Sequence, residues 1–176
     1  MQQFSLKSSV VLMGYAGSGK STVGRLLAQK LAIRHQDLDT FIEEKQQQSI
    51  ADLFKNRGEI YFRKIENQML AEVLSYDTPC VLSLGGGTPC YGNNAQLIAN
   101  SQHLSFYLQT NVPTLVARLS KEIQQRPLLA AVEDLPTYIG QHLFEREHYY
   151  RTAKHIVSTT GKTPEEVADE IYRFLT

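Results

Sequence analysis

The sequence has few cysteines, no tryptophan, no net charge and no long apolar run, and these shortages exclude several classes of protein. Two cysteines, Cys80 and Cys90, cannot build a disulfide framework, and no Cys/His cluster indicates structural zinc. Eighteen basic residues balance eighteen acidic ones, so no overall field favours a nucleic acid or an anionic membrane. The apolar runs are far shorter than the ~20 residues that span a bilayer. We therefore expect a cytoplasmic protein with neither a nucleic-acid nor a membrane partner.

What the chain does contain predicts a single α/β domain over residues 1–176. Its length falls within the ~100–200 residues of one domain, and 42% of its residues are hydrophobic. Short apolar runs alternate with segments of helical periodicity, which is typical of a parallel sheet with helices on both faces, in three layers. The five predicted strands are Val10–Met13, Ile33–Asp37, Cys80–Leu84, His103–Leu108 and His155–Ser158.

The clearest motif is Gly14–Ser21, which fits G-x-x-x-x-G-K-[ST] and lies between a predicted strand and a predicted helix. Glycines let successive backbone N–H groups converge on phosphate oxygens at the positive end of the helix. Lys20 adds a mobile positive charge, and the Ser21 hydroxyl suits Mg²⁺, which prefers oxygen ligands. This pattern predicts a site for a nucleoside triphosphate.

Three further patterns offer candidate binding groups, and two of them follow predicted strands. Asp37 and Asp39 share one side if the second strand is extended there, although an acidic helix cap explains them equally well. The glycines at 85–87 follow the third strand, where they allow a substrate close to the backbone. Glu66 lies one helical turn after Arg63, where it either holds the guanidinium in place or forms a solvated pair.

Between Ser120 and Pro136 the periodicity lapses, which predicts a mobile lid over about residues 120–135. Closing this segment would bring Arg126 onto a transferring phosphoryl group, where electrostatic stabilisation dominates catalysis. The family resemblance given below implies a second candidate for that role, Arg118, at the end of the preceding predicted helix.

Six motifs follow one another along the chain: Gly14–Ser21, Asp37-Leu38-Asp39, Gly58-Glu59 with Phe62-Arg63 and Glu66, Gly85-Gly86-Gly87, Arg126-Pro127-Leu128-Leu129, and Arg146. In this order and spacing they resemble the shikimate kinase family. The resemblance extends over nearly the whole chain, and it implies a P-loop fold similar to the nucleoside monophosphate kinases, with strand order 2-3-1-4-5. It implies that ATP and Mg²⁺ convert shikimate into shikimate 3-phosphate and ADP, in aromatic amino-acid (chorismate) biosynthesis.

The same resemblance implies a role for each matching residue, in an enzyme expected to be a monomer. Lys20, Asp39 and Arg126 are the expected catalytic residues, and Ser21 and Asp37 are the expected Mg²⁺ ligands. The expected ATP-binding residues are Gly14, Gly17, Ser18, Gly19, Lys20, Ser21, Thr22 and Arg126. The expected shikimate-binding residues are Asp39, Arg63, Gly85, Gly86, Gly87 and Arg146.

Two other functions fit the nucleotide motif alone. A different small-molecule kinase, such as a gluconate kinase-like enzyme, would share the P-loop and the lid, but its pocket would not need Asp39, Arg63, Gly86 and Arg146. A nucleotide-gated binding module without turnover is disfavoured by the intact Lys20. ADP formation in the presence of shikimate distinguishes the three.

Overall fold

The computed structural model describes residues 6–125 and 127–176, and a five-stranded sheet lies at its centre. The order β2-β3-β1-β4-β5 and the parallel pairing of every neighbour confirm the predicted fold. The strands are β1 (Val10–Met13), β2 (Arg34–Asp37), β3 (Cys80–Ser83), β4 (Leu104–Gln109) and β5 (His155–Ser158).

Helices connect the strands. The helices are α1 (Lys20–Leu31), α2 (Leu38–Gln46), α3 (Ile50–Leu74), α4 (Asn94–Asn100), α5 (Val112–Leu119), α6 (Pro127–Ala130), α7 (Leu135–Tyr150) and α8 (Pro164–Leu175). Short 3-10 helices occupy Thr88–Cys90 and Ser120–Gln125.

Helix α3 and the segment predicted as a lid both depart from a regular helix. Helix α3 is kinked at Gly58, whose φ of 81° and ψ of 171° are not helical. The segment predicted as a lid contains the 3-10 turn before residue 126 and the single turn of α6 after it. Helix α7 begins at Leu135 because the Asp134 carboxylate accepts a hydrogen bond from the amide of Thr137.

The central strand shows how the sheet is covered on both faces. All four residues of β1 are buried. Val11 and Met13 belong to a hydrophobic cluster that includes residues of α3, α5 and α7. Val10 and Leu12 point to the opposite face and join a cluster with α1 and α8. This alternation follows from the two-residue period of a strand, and it gives the three predicted layers.

The order of the strands brings three loops to one edge of the sheet. Ser83 at the end of β3 pairs with both Leu12 of β1 and Asp37 of β2. The segments that follow these strands therefore begin side by side, in the position where α/β folds bind ligands. In the described ranges, no helix is long and apolar enough to cross a membrane.

Candidate active site

Residues 14–21, which run from the end of β1 into the first turn of α1, form the phosphate loop and have the backbone of an anion-binding cradle. Gly14, Gly17 and Gly19 have φ angles of 150°, 82° and 91°, which residues with a Cβ rarely adopt. A Cβ on Gly14 would lie only 2.8 Å from the carbonyl oxygen of Leu108. Gly19 is the N-cap of α1, so the positive end of that helix dipole lies against the loop. The loop therefore suits a phosphate.

The ammonium of Lys20 lies inside the curve of this loop. It donates hydrogen bonds to the carbonyl oxygens of Gly14 at 2.8 Å and Tyr15 at 2.9 Å, and it lies 3.5 Å from the buried hydroxyl of Ser18. Its charge also acts on Asp39, whose pKa it lowers against stronger opposing effects. The charge of Lys20 therefore lies inside the phosphate loop and within electrostatic range of Asp39.

Asp37 performs two tasks at the end of β2. Its Oδ1 atom accepts hydrogen bonds from the amides of Asp39 at 3.0 Å and Thr40 at 3.3 Å, which makes it the N-cap of α2. Its Oδ2 atom accepts a 2.6 Å hydrogen bond from the Ser21 hydroxyl. The helix-cap interpretation is therefore correct for Asp37, and it coexists with a carboxylate oxygen directed at the phosphate loop.

Asp39 reaches the cleft by a different route from the one predicted. The expectation that Asp37 and Asp39 share one side of an extended strand is wrong, because α2 begins at Leu38 and Asp39 lies in its first turn. Its carboxylate nevertheless faces Gly85, where a Cβ would lie 2.9 Å from Oδ1. Burial, followed by the charges of Asp37 and Glu66, raises the pKa of Asp39 to about 6.

The three glycines after β3 join the separate parts of the site. A Cβ on Gly85 would contact Asp39, and one on Gly86 would lie 3.0 Å from the amide nitrogen of Ala16 in the phosphate loop. A Cβ on Gly87 would lie 3.0 Å from Nη2 of Arg63. The absence of side chains therefore lets this loop touch the acidic residue, the phosphate loop and the guanidinium at once.

A buried carboxylate orients the Arg63 guanidinium. The Glu66 side chain is only 1% exposed, and its two oxygens accept hydrogen bonds from Arg63 Nη1 at 2.8 Å and from the Thr88 hydroxyl at 2.7 Å. The guanidinium also lies over the Tyr91 ring, 3.7 Å from its centroid. Of the two interpretations of Glu66, the structure supports the positioning one, because a solvated pair would leave this carboxylate exposed.

Arg146 of α7 is a second guanidinium near this region. Cys90 is the common neighbour, since the charges of Arg146 and Arg63 both act to lower its thiol pKa, although burial raises that pKa overall. Burial opposes the charge on Arg146, but the nearby Tyr150 and Cys90 raise its pKa in sum. Two guanidinium groups therefore lie close enough to Cys90 to act on its thiol.

The remaining predicted residues fall into two groups. Arg118 donates a 3.0 Å hydrogen bond from Nη1 to the carbonyl oxygen of Gly17, so it lies against the phosphate loop. Arg126 lies outside the described residues. The cleft has a volume of about 250 Å³. Its lining includes Lys20, Ser21, Thr22, Asp37, Asp39 and Gly86.

Sequence reasoning missed several residues of this neighbourhood. Glu122 lines the cleft from the segment after α5. Thr88 supports Glu66, and Tyr150 donates a 2.6 Å hydrogen bond to the carbonyl oxygen of Gly86. The one available signal was the four-residue spacing of Tyr150 from Arg146, which puts both on one face of a helix.

Comparisons with known proteins agree on one family. A sequence model of the family described as shikimate kinase matches residues 16–176. The shikimate kinase of Flavobacterium johnsoniae is 40% identical over 168 residues, which cover 94% of this chain and 98% of that protein. The shikimate kinase of Flavobacterium psychrophilum is 36% identical over the same shares of the two chains.

Solved structures give the same result. A crystal structure of shikimate kinase from Bacteroides thetaiotaomicron superposes with a TM-score of 0.86 at 33% identity, covering 96% of this chain and 98% of that one. Shikimate kinase from Acinetobacter baumannii, in complex with shikimate, superposes with a TM-score of 0.86 at 31% identity, covering 96% and 92%. Because the family model spans most of the sequence and these relatives align over almost their whole length, the chain belongs to the shikimate kinase family.

Proposed function

We propose that the cleft between the phosphate loop and the glycine triplet transfers the γ-phosphoryl group of ATP to the 3-hydroxyl of shikimate. Membership of the family makes the overall reaction ATP-dependent phosphorylation of shikimate, in aromatic biosynthesis. The observation that carries the assignment of residues is the junction at residues 85–87. There the glycine loop contacts Ala16 of the phosphate loop, Asp39 and Arg63 within three consecutive residues.

On the nucleotide side, the glycine loop and Lys20 bind the phosphates. The φ angles of Gly14, Gly17 and Gly19 support this role, as does the position of the Lys20 ammonium inside the loop. Phosphoryl transfer passes through a loose transition state, so the protein contributes mainly by positioning and by neutralising charge. We assign to Lys20 the role of neutralising negative charge on the phosphoryl group during its transfer.

The residues near Ser21 fit a Mg²⁺ ion that accompanies ATP. The Ser21 hydroxyl oxygen and Oδ2 of Asp37 lie 2.6 Å apart beside the phosphate loop, and both are possible oxygen ligands for a metal ion. Among the described residues, no group of three or more His, Cys, Asp or Glu side chains could hold a metal alone. That donor set suits Mg²⁺, which typically takes one or two protein oxygens and completes its shell with phosphates and water. When bound, the ion neutralises phosphate charge.

On the acceptor side, we assign shikimate's carboxylate to Arg63 and Arg146 and its hydroxyls to Asp39. Guanidinium groups match a carboxylate with paired, charge-assisted hydrogen bonds. Glu66 holds Arg63 in place from within the protein. Asp39, with a pKa of about 6, is ionised at neutral pH and accepts a hydrogen bond from the attacking hydroxyl. The glycines at 85–87 leave room for the ring beside the backbone.

We assign two arginines to the phosphoryl group as it moves. Arg118 contacts the phosphate loop through Gly17. Arg126 belongs to the segment 120–135, which we propose closes over the cleft as a lid. We further propose that residues 1–176 act as one domain, and that the enzyme is a cytoplasmic monomer.

A panel of acceptors tests the proposed reaction. ADP release is measured with ATP and Mg²⁺ in the presence of shikimate, quinate, gluconate or a nucleoside monophosphate, and the product is identified by ³¹P NMR. We expect turnover with shikimate, a 3-phosphate product, and turnover abolished in Lys20→Ala. Lys30→Ala, which removes a surface ion pair with Asp169, is the matched control and should retain activity. Faster turnover with another acceptor would overturn the assignment.

A further inference from the structure

Three polar residues of α7 share one face of the helix and separate two loops of the site. His142, Arg146 and Tyr150 follow each other at intervals of four residues, which places them along one stripe. The first contacts the phosphate loop and the last contacts the glycine loop. Arg146 lies between these two contacts.

The contact at the C-terminal end is a buried hydrogen bond. Tyr150 is 0% exposed, and its hydroxyl donates to the carbonyl oxygen of Gly86 at 2.6 Å. Its ring stacks on Tyr107, with centroids 5.3 Å apart. Arg146 lies four residues earlier on the helix, and its charge opposes the rise that burial causes in the pKa of this hydroxyl. The Tyr150 hydroxyl therefore bonds to the glycine loop and lies within electrostatic range of the Arg146 guanidinium.

The contact at the N-terminal end joins α7 to the phosphate loop. The Tyr15 hydroxyl and the Nδ1 atom of His142 are 2.8 Å apart, and the two rings meet edge to face with centroids 5.5 Å apart. Burial, and then the charge of Arg146, lowers the pKa of His142. The imidazole is therefore uncharged at neutral pH and does not compete with Arg146 for an anion.

These two contacts hold α7 in place one helical turn before and one turn after Arg146, whose side chain is flexible. An arginine loses side-chain rotamer entropy when it is held in one conformation, so a pre-positioned guanidinium binds an anion more tightly than a mobile one. We propose that Tyr150 and the Tyr15–His142 pair are positioning residues that direct Arg146 at the acceptor carboxylate. This inference rests on the role proposed above for Arg146.

The test is a double-mutant cycle between Tyr150 and Arg146. We expect Tyr150→Phe to raise the KM for shikimate roughly five- to thirtyfold, the range for a lost buried hydrogen bond next to a charge. The kcat and the KM for ATP should stay within about twofold, because the bond serves binding and not the chemical step. In the Arg146→Gln background the same substitution should have no further effect on the shikimate KM.

Matched variants separate positioning from general damage to the fold. Tyr149→Phe removes a hydroxyl from the neighbouring residue, which stacks on the exposed His148, and should leave all constants unchanged. At the other end, His142→Ala should raise the shikimate KM, His142→Asn should restore it by offering an acceptor, and His148→Ala should be neutral. If Tyr150→Phe does not fold, the histidine series in the Arg146→Gln background carries the same test.

The outcomes distinguish this inference from the proposed function. A KM effect of Tyr150→Phe that persists undiminished in Arg146→Gln, or an equal loss of kcat, would overturn the positioning role alone. An Arg146→Gln variant with an unchanged shikimate KM would remove Arg146 from the carboxylate site. That result would overturn both its proposed role and the inference built on it.

Discussion

Replacement of Asp39 by asparagine should stabilise the folded protein while it disables catalysis. Asp39 is largely removed from water and is close to the charges of Asp37 and Glu66, and these effects raise its pKa from the ordinary 3.8 to about 6. The folded state therefore binds a proton at this site more tightly than the unfolded state does. At neutral pH the ionised carboxylate therefore lowers the free energy of unfolding. Asparagine removes that charge at almost constant size.

The magnitude follows from the two pKa values. At about 1.36 kcal/mol per pH unit, the difference between 3.8 and about 6 corresponds to a penalty of about 3 kcal/mol at pH 8. The penalty is absent well below pH 3.8, develops between pH 3.8 and 6, and is complete above that range. At pH 4.5 the same linkage leaves about 1 kcal/mol. The gain from Asp39→Asn should therefore shrink by about 2 kcal/mol between pH 8 and pH 4.5.

Urea unfolding followed by circular dichroism at both pH values measures this gain, and steady-state turnover of the same variant measures the catalytic loss. We expect kcat to fall by ~10²–10⁴-fold, the usual contribution of a positioned acid or base, with ATP binding nearly unchanged. The control is Asp134→Asn at the exposed cap of α7. A hydrogen bond from Thr137 lowers the pKa of Asp134, so loss of that charge should give no gain. Equal or lower stability of Asp39→Asn at pH 8 would refute the reasoning.

Three other expectations follow from the same geometry. Arg63→Ala should lower kcat/KM for shikimate by ~30-fold or more. The substitution removes a contact to the substrate carboxylate, and it also leaves the buried Glu66 without its charged partner. An unchanged kcat/KM in steady-state assays would exclude Arg63 from the acceptor site. Arg126→Ala should lower kcat more than it raises the shikimate KM, and a pure KM effect would contradict a role in the transition state. The kcat/KM for shikimate should fall about tenfold per pH unit below pH 6 as Asp39 takes up a proton, and a flat profile down to pH 5 would assign the carboxylate another role.

Local patterns were enough to predict the phosphate loop. A buried strand, a glycine-rich turn and an amphipathic helix lie within 22 consecutive residues, from Val10 to Leu31. The glycine conformations and the hydrogen bonds from Lys20 to Gly14 and Tyr15 all arise within residues 14–20. The strand order came from the family resemblance, since alternation alone predicts a parallel sheet but leaves open which strands are neighbours.

Contacts between distant segments were beyond the reach of spacing arguments. The three-residue spacing of Arg63 and Glu66 predicted that they meet, but the hydrogen bond that Glu66 accepts in the interior comes from Thr88, 22 positions away. The bond from Tyr150 to Gly86 joins residues 64 positions apart. The prediction for Asp39 used the wrong local geometry, because the capping strength of Asp37 starts a helix one residue before Asp39.

Shikimate methyl ester tests the central claim most directly, namely that one cleft phosphorylates shikimate by holding its carboxylate between Arg63 and Arg146. The measurement compares kcat/KM of the unmodified enzyme for the acid and for its ester, with ATP and Mg²⁺ saturating. Two guanidinium groups that bind a carboxylate predict a preference for the acid of ~30-fold or more, expressed mainly in KM. Equal kcat/KM values for the ester and the acid would contradict the account, whatever the variants did.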